Sequence, residues 1–111
     1  MSDLLPLSIC SSYARFGIDD EGFLLHIADG NDGDVERVFR ARVDFATAFA
    51  GPPVVHVGLS GFDIDNWDTG RLRVRAEAIS ATGFELVVTT WRSTKVYSVE
   101  ASWLAIGLPA S

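Results

Sequence analysis

The chain has 111 residues, a formal net charge of −6 and a pI near 4.6, with 48% apolar and 11% aromatic residues. That balance provides neither the basic face that nucleic acid requires nor the cationic patch that anionic lipid attracts, so neither is expected as a partner. The length suits one domain over residues 1–111, and no stretch reaches the ~18 consecutive apolar residues of a membrane-inserting span.

The opening "MSDLLPLSIC" has no basic start and carries Asp3 ahead of a short apolar run broken by Pro6, a poor secretory signal. Cys10 is the sole cysteine, so no intrachain disulfide is expected, and it reads as a small core or near-core residue rather than a nucleophile. "GFLLHIA" (22–28) predicts a strand. The segment from Asp34 to Pro53 admits two readings. Asp34 as N-cap, apolar Val35, Val38, Phe39, Val43, Ala46 and Phe49, and a Gly51-Pro52 stop describe a helix. Phe39, Ala41, Val43 and Phe45 alternating with Arg40, Arg42 and Asp44 describe a strand. Periodicity leaves the two even; the rest of the chain favours the strand.

After residue 50, period-two alternation dominates. Val55, Val57 and Leu59 oppose His56, Gly58 and Ser60; Leu72, Val74, Ala76 and Ala78 oppose Arg71, Arg73, Arg75 and Glu77. Tyr97, Val99, Ala101, Trp103 and Ala105 oppose Ser98, Glu100 and Ser102. Turn residues at 50–53, 65–70, 81–83 and 92–94 separate these runs. Half-buried strands with short turns predict an antiparallel β-sandwich or barrel, with Val55, Val57, Leu59, Leu72, Val74, Phe84, Val99 and Trp103 largely buried.

Catalytic chemistry finds little support. His26 and His56 both fall in predicted strands, without a nucleophile elbow, a Gly-rich phosphate loop or a His-Glu-x-x-His motif, so no enzyme is expected. No cofactor is expected either. Calcium is the one ion whose ligands the acidic stretches "DGNDGD" (29–34) and "DIDNWD" (63–68) offer, but neither has an acidic residue at the twelfth position of an EF-hand loop, and both use ordinary turn residues. The hairpin "TTWRSTKVYS" is more telling: it crowds Trp91, Arg92, Lys95 and Tyr97 around one turn. An uncharged sugar is recognised by an aromatic face against its C–H patch, a carboxylate accepting from hydroxyls, and donors from Arg or backbone N–H. All three residue types occur here, although strand aromatics are also common for packing alone.

The ordered set "PPVV", "LRV", "TGF", "TW", "TKVYS" and "SW", within residues 45–107, resembles the H-type lectin domain, the family of the snail agglutinins and the carboxy-terminal domain of discoidins. The resemblance implies a six-stranded antiparallel β-sandwich with a strand at 36–45. It also implies a homotrimer or dimer of trimers, with a site for terminal galactose or N-acetylgalactosamine near each subunit boundary. Matched to the family's motifs, the carbohydrate-binding residues would be Asp34, Arg73, Trp91, Arg92 and Tyr97. Trp91, Tyr97 and Arg92 would form one wall, and Asp34 and Arg73 of a neighbouring subunit the other. Arg92 stands where the snail agglutinin has histidine and Asp32 where it has glycine, and the 65–70 loop is about two residues longer. The agglutinin's disulfide cysteines are missing, so a trimer here would be non-covalent. Those changes leave a second reading open, a structural trimerisation domain that has lost the sugar.

Overall fold

Alternating runs pair wherever an apolar face can be buried against a second sheet, and here six strands do so. A computed structural model describes residues 6–28, 35–65 and 69–110. Its strands are β1 (Ser8–Gly17), β2 (Glu36–Asp44), β3 (Val54–Asp65), β4 (Arg73–Glu77), β5 (Gly83–Trp91) and β6 (Lys95–Gly107). All pairings are antiparallel, in two three-stranded sheets ordered β1-β6-β3 and β2-β5-β4, and no helix occurs among the described residues.

The core forms where the inner faces meet. Phe39, Phe84, Leu86 and Val88 from one sheet face Val96, Val99, Ala101, Trp103 and Ala105 from the other. Phe84 meets Trp103 edge-on at 5.5 Å, and Phe45, just past β2, lies 5.7 Å from the same indole. Each large apolar side chain contributes on the order of 1.5–3 kcal/mol on burial, which outweighs the helix-like caps around 34–53 and fixes 36–44 as a strand.

β5 is buried on both faces, and its outer face has a separate cause. Arg40 of β2 donates to Glu77 of β4 at 3.0 Å and to Glu85 of β5 at 2.8 Å, so its side chain crosses the sheet beside fully buried Val87. The two glutamates raise the Arg40 pKa through these hydrogen bonds. Exposed pairs of this kind contribute little to stability; their role here is to roof the strand.

The structure departs from the sequence reading in several places. Residues 22–28 form consecutive turns rather than a strand: Gly22 takes φ +80°, Phe23 N donates to Asp20 O, and Ile27 N donates to Leu24 O. Phe23 and Leu25 are buried and Leu24 and Ile27 exposed, so the alternation is real. It serves to plug the end of the sandwich, with Phe23 5.1 Å from Phe39. His26 therefore lies outside any strand, stacked on Phe23. Leu59, expected in the core, is 39% exposed because β3 is an edge strand that bulges between Leu59 and Gly61. Val55, Val57, Leu72 and Val74 are half-buried against the core, as is Cys10.

A second bulge matters for function. Opposite Asp63 and Ile64 the β6 register skips Tyr97, so that Val96 turns into the core and Tyr97 leaves the face that simple alternation would have it share with Val99. Strand parity fails at that one residue.

Gly83, the first residue of β5, shows how closely the β2–β5 pair is set. A methyl group there would meet the Val43 carbonyl and the Arg42 guanidinium. Gly83→Ala is expected to cost about 1–3 kcal/mol, the usual range for overpacking, and an unchanged urea midpoint would contradict this.

Candidate functional site

Trp91 ends β5 and pairs with Glu36, and β4 places Arg73 beside Thr89, one pleat away on the same face. The Arg73 guanidinium accordingly lies over the Trp91 ring, 5.0 Å from its centroid. A 3.5 Å contact to Glu36 holds its other side. Arg92 follows in the turn at φ 59°, a left-handed conformation that a residue with a Cβ adopts only when its surroundings impose it.

Arg37 binds the carbonyl of that residue. Its Nη1 donates to Leu25 O and Ile27 O, both at 3.0 Å, and its Nη2 donates to Arg92 O at 2.9 Å and Thr94 O at 2.6 Å. One guanidinium thus joins the 22–28 turns to the β5–β6 turn. Partial burial lowers its pKa from the ordinary arginine value, yet it remains a cation throughout the physiological range. Thr94, fully buried, accepts from Arg71 N at 3.1 Å and donates to Thr69 O, while Thr90 donates to Arg71 O. The turn is therefore bound to the chain on both sides, and Trp91 and Arg92 are presented from a fixed frame.

Tyr97 belongs to the other sheet. The bulge turns it toward a cleft of about 400 Å³ whose lining includes Arg15, Asp19, Asp63 and Ser98, with His26 6.2 Å from its ring. One chain thus brings Arg73 and Trp91 into contact, with Arg92 next in sequence, while Tyr97 lines a cleft whose lining includes none of these three. Arg73 rests on the Trp91 of its own chain. Asp34 and Asp32, and with them the acidic stretch 29–34, lie outside the described residues. Among the described residues no group of three or more His, Cys, Asp or Glu is arranged to hold a metal.

Arg37 is the residue that sequence reasoning missed. It shares the inward parity of Phe39, Ala41 and Val43, and an arginine on an otherwise apolar face is the signal that marks it.

Comparison with known proteins agrees with this fold. The family model of the H-type lectin domain matches residues 40–106. The protein called ATP synthase subunits region ORF 7, of Fuscovulum blasticum, is 41% identical over 83 residues, covering 72% of each chain. Two discoidin-1 polypeptides of Dictyostelium discoideum are each 33% identical over 79 residues, covering 70% of this chain but 31% of theirs. Two solved structures of discoidin II from the same organism superpose with TM-scores of 0.71 and 0.72 at 25% identity, covering 91% and 93% of this chain and 37% of theirs. The chain thus spans about a third of the length of these discoidins. It belongs to the H-type lectin domain family, a family of carbohydrate-binding domains.

Proposed function

We propose that the chain is a lectin that binds terminal galactose or N-acetylgalactosamine without chemical change, through Asp34, Arg73, Trp91, Arg92 and Tyr97, near the subunit boundaries of a homotrimer. The observation that carries the reading is the Arg73 guanidinium over the Trp91 ring, beside the turn whose carbonyls Arg37 binds. The ring contact restrains the guanidinium, so its N–H groups meet a sugar's oxygens with less ordering cost. Tyr97 leaves the opposite sheet, so a ligand touching both Trp91 and Tyr97 is served most simply by two chains, which supports a composite site. Nothing in this reading requires a resident metal.

Binding of the purified protein to a glycan array tests it: retention of galactose-terminated glycans is expected. No binding to any of them would favour the second reading, a trimerisation domain without a ligand. Light scattering tests assembly separately. The mass should be three times the 12.0 kDa chain, or six times if trimers pair, and a monomer would refute the composite site.

Arg92 would tune specificity. Arginine is longer than histidine and always charged, so it can recruit a carboxylate or sulfate on the ligand or donate to an acetamido carbonyl. Arg92→His is expected to move the array ranking away from anionic toward neutral galactosides. An unchanged ranking would remove Arg92 from the site.

A further inference from the structure

Three polar residues are fully buried among the described residues: Thr89, Thr90 and Thr94. Two are accounted for. Thr90 donates to Arg71 O, and Thr94 accepts from Arg71 N and donates to Thr69 O. Thr89 is the exception: its Oγ1 is sealed from solvent and has no hydrogen-bond partner among the described residues. A buried hydroxyl left unpaired costs free energy that valine, of nearly the same shape, would not cost. Packing alone therefore does not explain this threonine. Alternation along β5 sets Phe84, Leu86 and Val88 into the core and turns Thr89 outward with Trp91. Across the sheet Thr89 pairs with Val38 of β2 and Arg73 of β4. Arg73 leaves β4 opposite Thr89, brings its guanidinium 5.0 Å from the Trp91 centroid, and reaches Glu36 on β2 at 3.5 Å. Its side chain thus lies across β5 as a strap, and the strap and Val38 cover Thr89. Both covers are surface groups, the Arg73 side chain 45% exposed and Val38 44%. The far end of the strap is a long ion pair between exposed side chains, a kind that contributes little to stability.

We infer that Thr89 is a further sugar-binding residue, uncovered when the ligand takes the place of Glu36 on Arg73. The inference rests on the lectin reading of this face and names a residue and an exchange that the reading does not contain. Two neighbouring oxygens of one sugar serve the two protein groups. One accepts from the guanidinium; the other, a hydroxyl, pairs with Thr89 Oγ1, which can donate or accept. The guanidinium keeps its contact with Trp91 as it draws back from Glu36, so the aromatic face stays in place. In the free protein Glu36 competes with the sugar for Arg73, and the unpaired hydroxyl biases the strap toward opening. A substitution that removes the hydroxyl thus stabilises the free protein and takes a bond from the complex.

Calorimetric titration with N-acetylgalactosamine and melting curves, on wild type, Thr89→Val, Thr89→Ser and Glu36→Gln, test this. Thr89→Val is expected to melt about 4–8 °C above wild type, because it removes an unpaired buried hydroxyl. It should nevertheless bind about tenfold more weakly, with a ligand hydroxyl left facing a methyl group. Thr89→Ser keeps the hydroxyl and should bind within about twofold of wild type while melting below it. That opposition between stability and affinity, with rescue by serine, is what a purely structural threonine would not produce. Glu36→Gln removes the competing charge and should bind about two- to fivefold more tightly than wild type. Equal affinities of wild type and Thr89→Val would overturn the role of Thr89. Affinity of Glu36→Gln at or below wild type would overturn the exchange on Arg73. Both outcomes leave the lectin reading standing, whereas a wild type that does not bind the sugar overturns that reading and this inference with it.

Discussion

Arg37→Met is expected to melt about 10–15 °C below the wild-type protein, from roughly 2–3 kcal/mol of lost stability and the usual sensitivity of a domain of this size. The substitution keeps an apolar stem but takes the donor from four carbonyls, those of Leu25, Ile27, Arg92 and Thr94. Hydrogen bonds to a charged group contribute about 1.5–3 kcal/mol each, but carbonyls near solvent regain water, so the total falls well short of four full bonds. The loss has a local consequence as well. Arg92 loses the bond at its carbonyl that favours its left-handed φ, and the turn that presents Trp91 loosens. Arg37→Lys, a point charge without the fork, should fall between the two proteins. A melting temperature within about 3 °C of wild type for Arg37→Met would show that the four bonds do not support the turn.

The second large effect is on affinity. In the proposed site Asp34 accepts from two vicinal hydroxyls, and Asp34→Asn removes the charge and turns one acceptor into a donor. Charge-assisted bonds of about 1.5–3 kcal/mol each would weaken together, so affinity for a soluble monosaccharide should fall on the order of tenfold to a hundredfold. Trp91→Ala removes the aromatic face and the surface on which Arg73 is stacked, and a loss of at least that size is expected. A monosaccharide is the right probe, because a trimer on a multivalent surface would mask the loss through effective concentration. Equal affinities in wild type and Asp34→Asn, with melting temperatures unchanged, would place the sugar elsewhere.

Much of this fold is legible in the sequence because it rests on period-two alternation, and β4 and most of β6 follow that pattern. The misreadings share one cause: alternation reports burial, not hydrogen bonding. Phe23 and Leu25 alternate with exposed neighbours in a run of turns, so the 22–28 segment resembles a strand without pairing as one. Tyr97 has the parity of Val99 and reads as inward, but a bulge, which depends on how β3 meets β6, has no mark in the β6 sequence alone. Leu59 is exposed for a related reason: position at a sheet edge is a property of topology. The candidate site divides in the same way. Trp91, Arg92 and the alternating arginines of β4 stand out as residue types, but the contact between Arg73 and Trp91 exists only once β4 is registered against β5. Arg37 is hidden among the other arginines of β2, although its parity sets it apart.

Binding of galactose-type sugars is tested most directly by titration calorimetry of the wild-type protein with N-acetylgalactosamine, and with its C4 epimer N-acetylglucosamine as the comparison. A site whose polar groups read the galactose hydroxyls should reject an epimer that leaves them unpaired. Saturable binding of N-acetylgalactosamine is expected, with at least tenfold weaker binding of N-acetylglucosamine, since one mispaired hydroxyl costs about 1.4 kcal/mol or more. No heat of binding from N-acetylgalactosamine or galactose, or equal affinity for N-acetylglucosamine, would contradict the galactose-type reading.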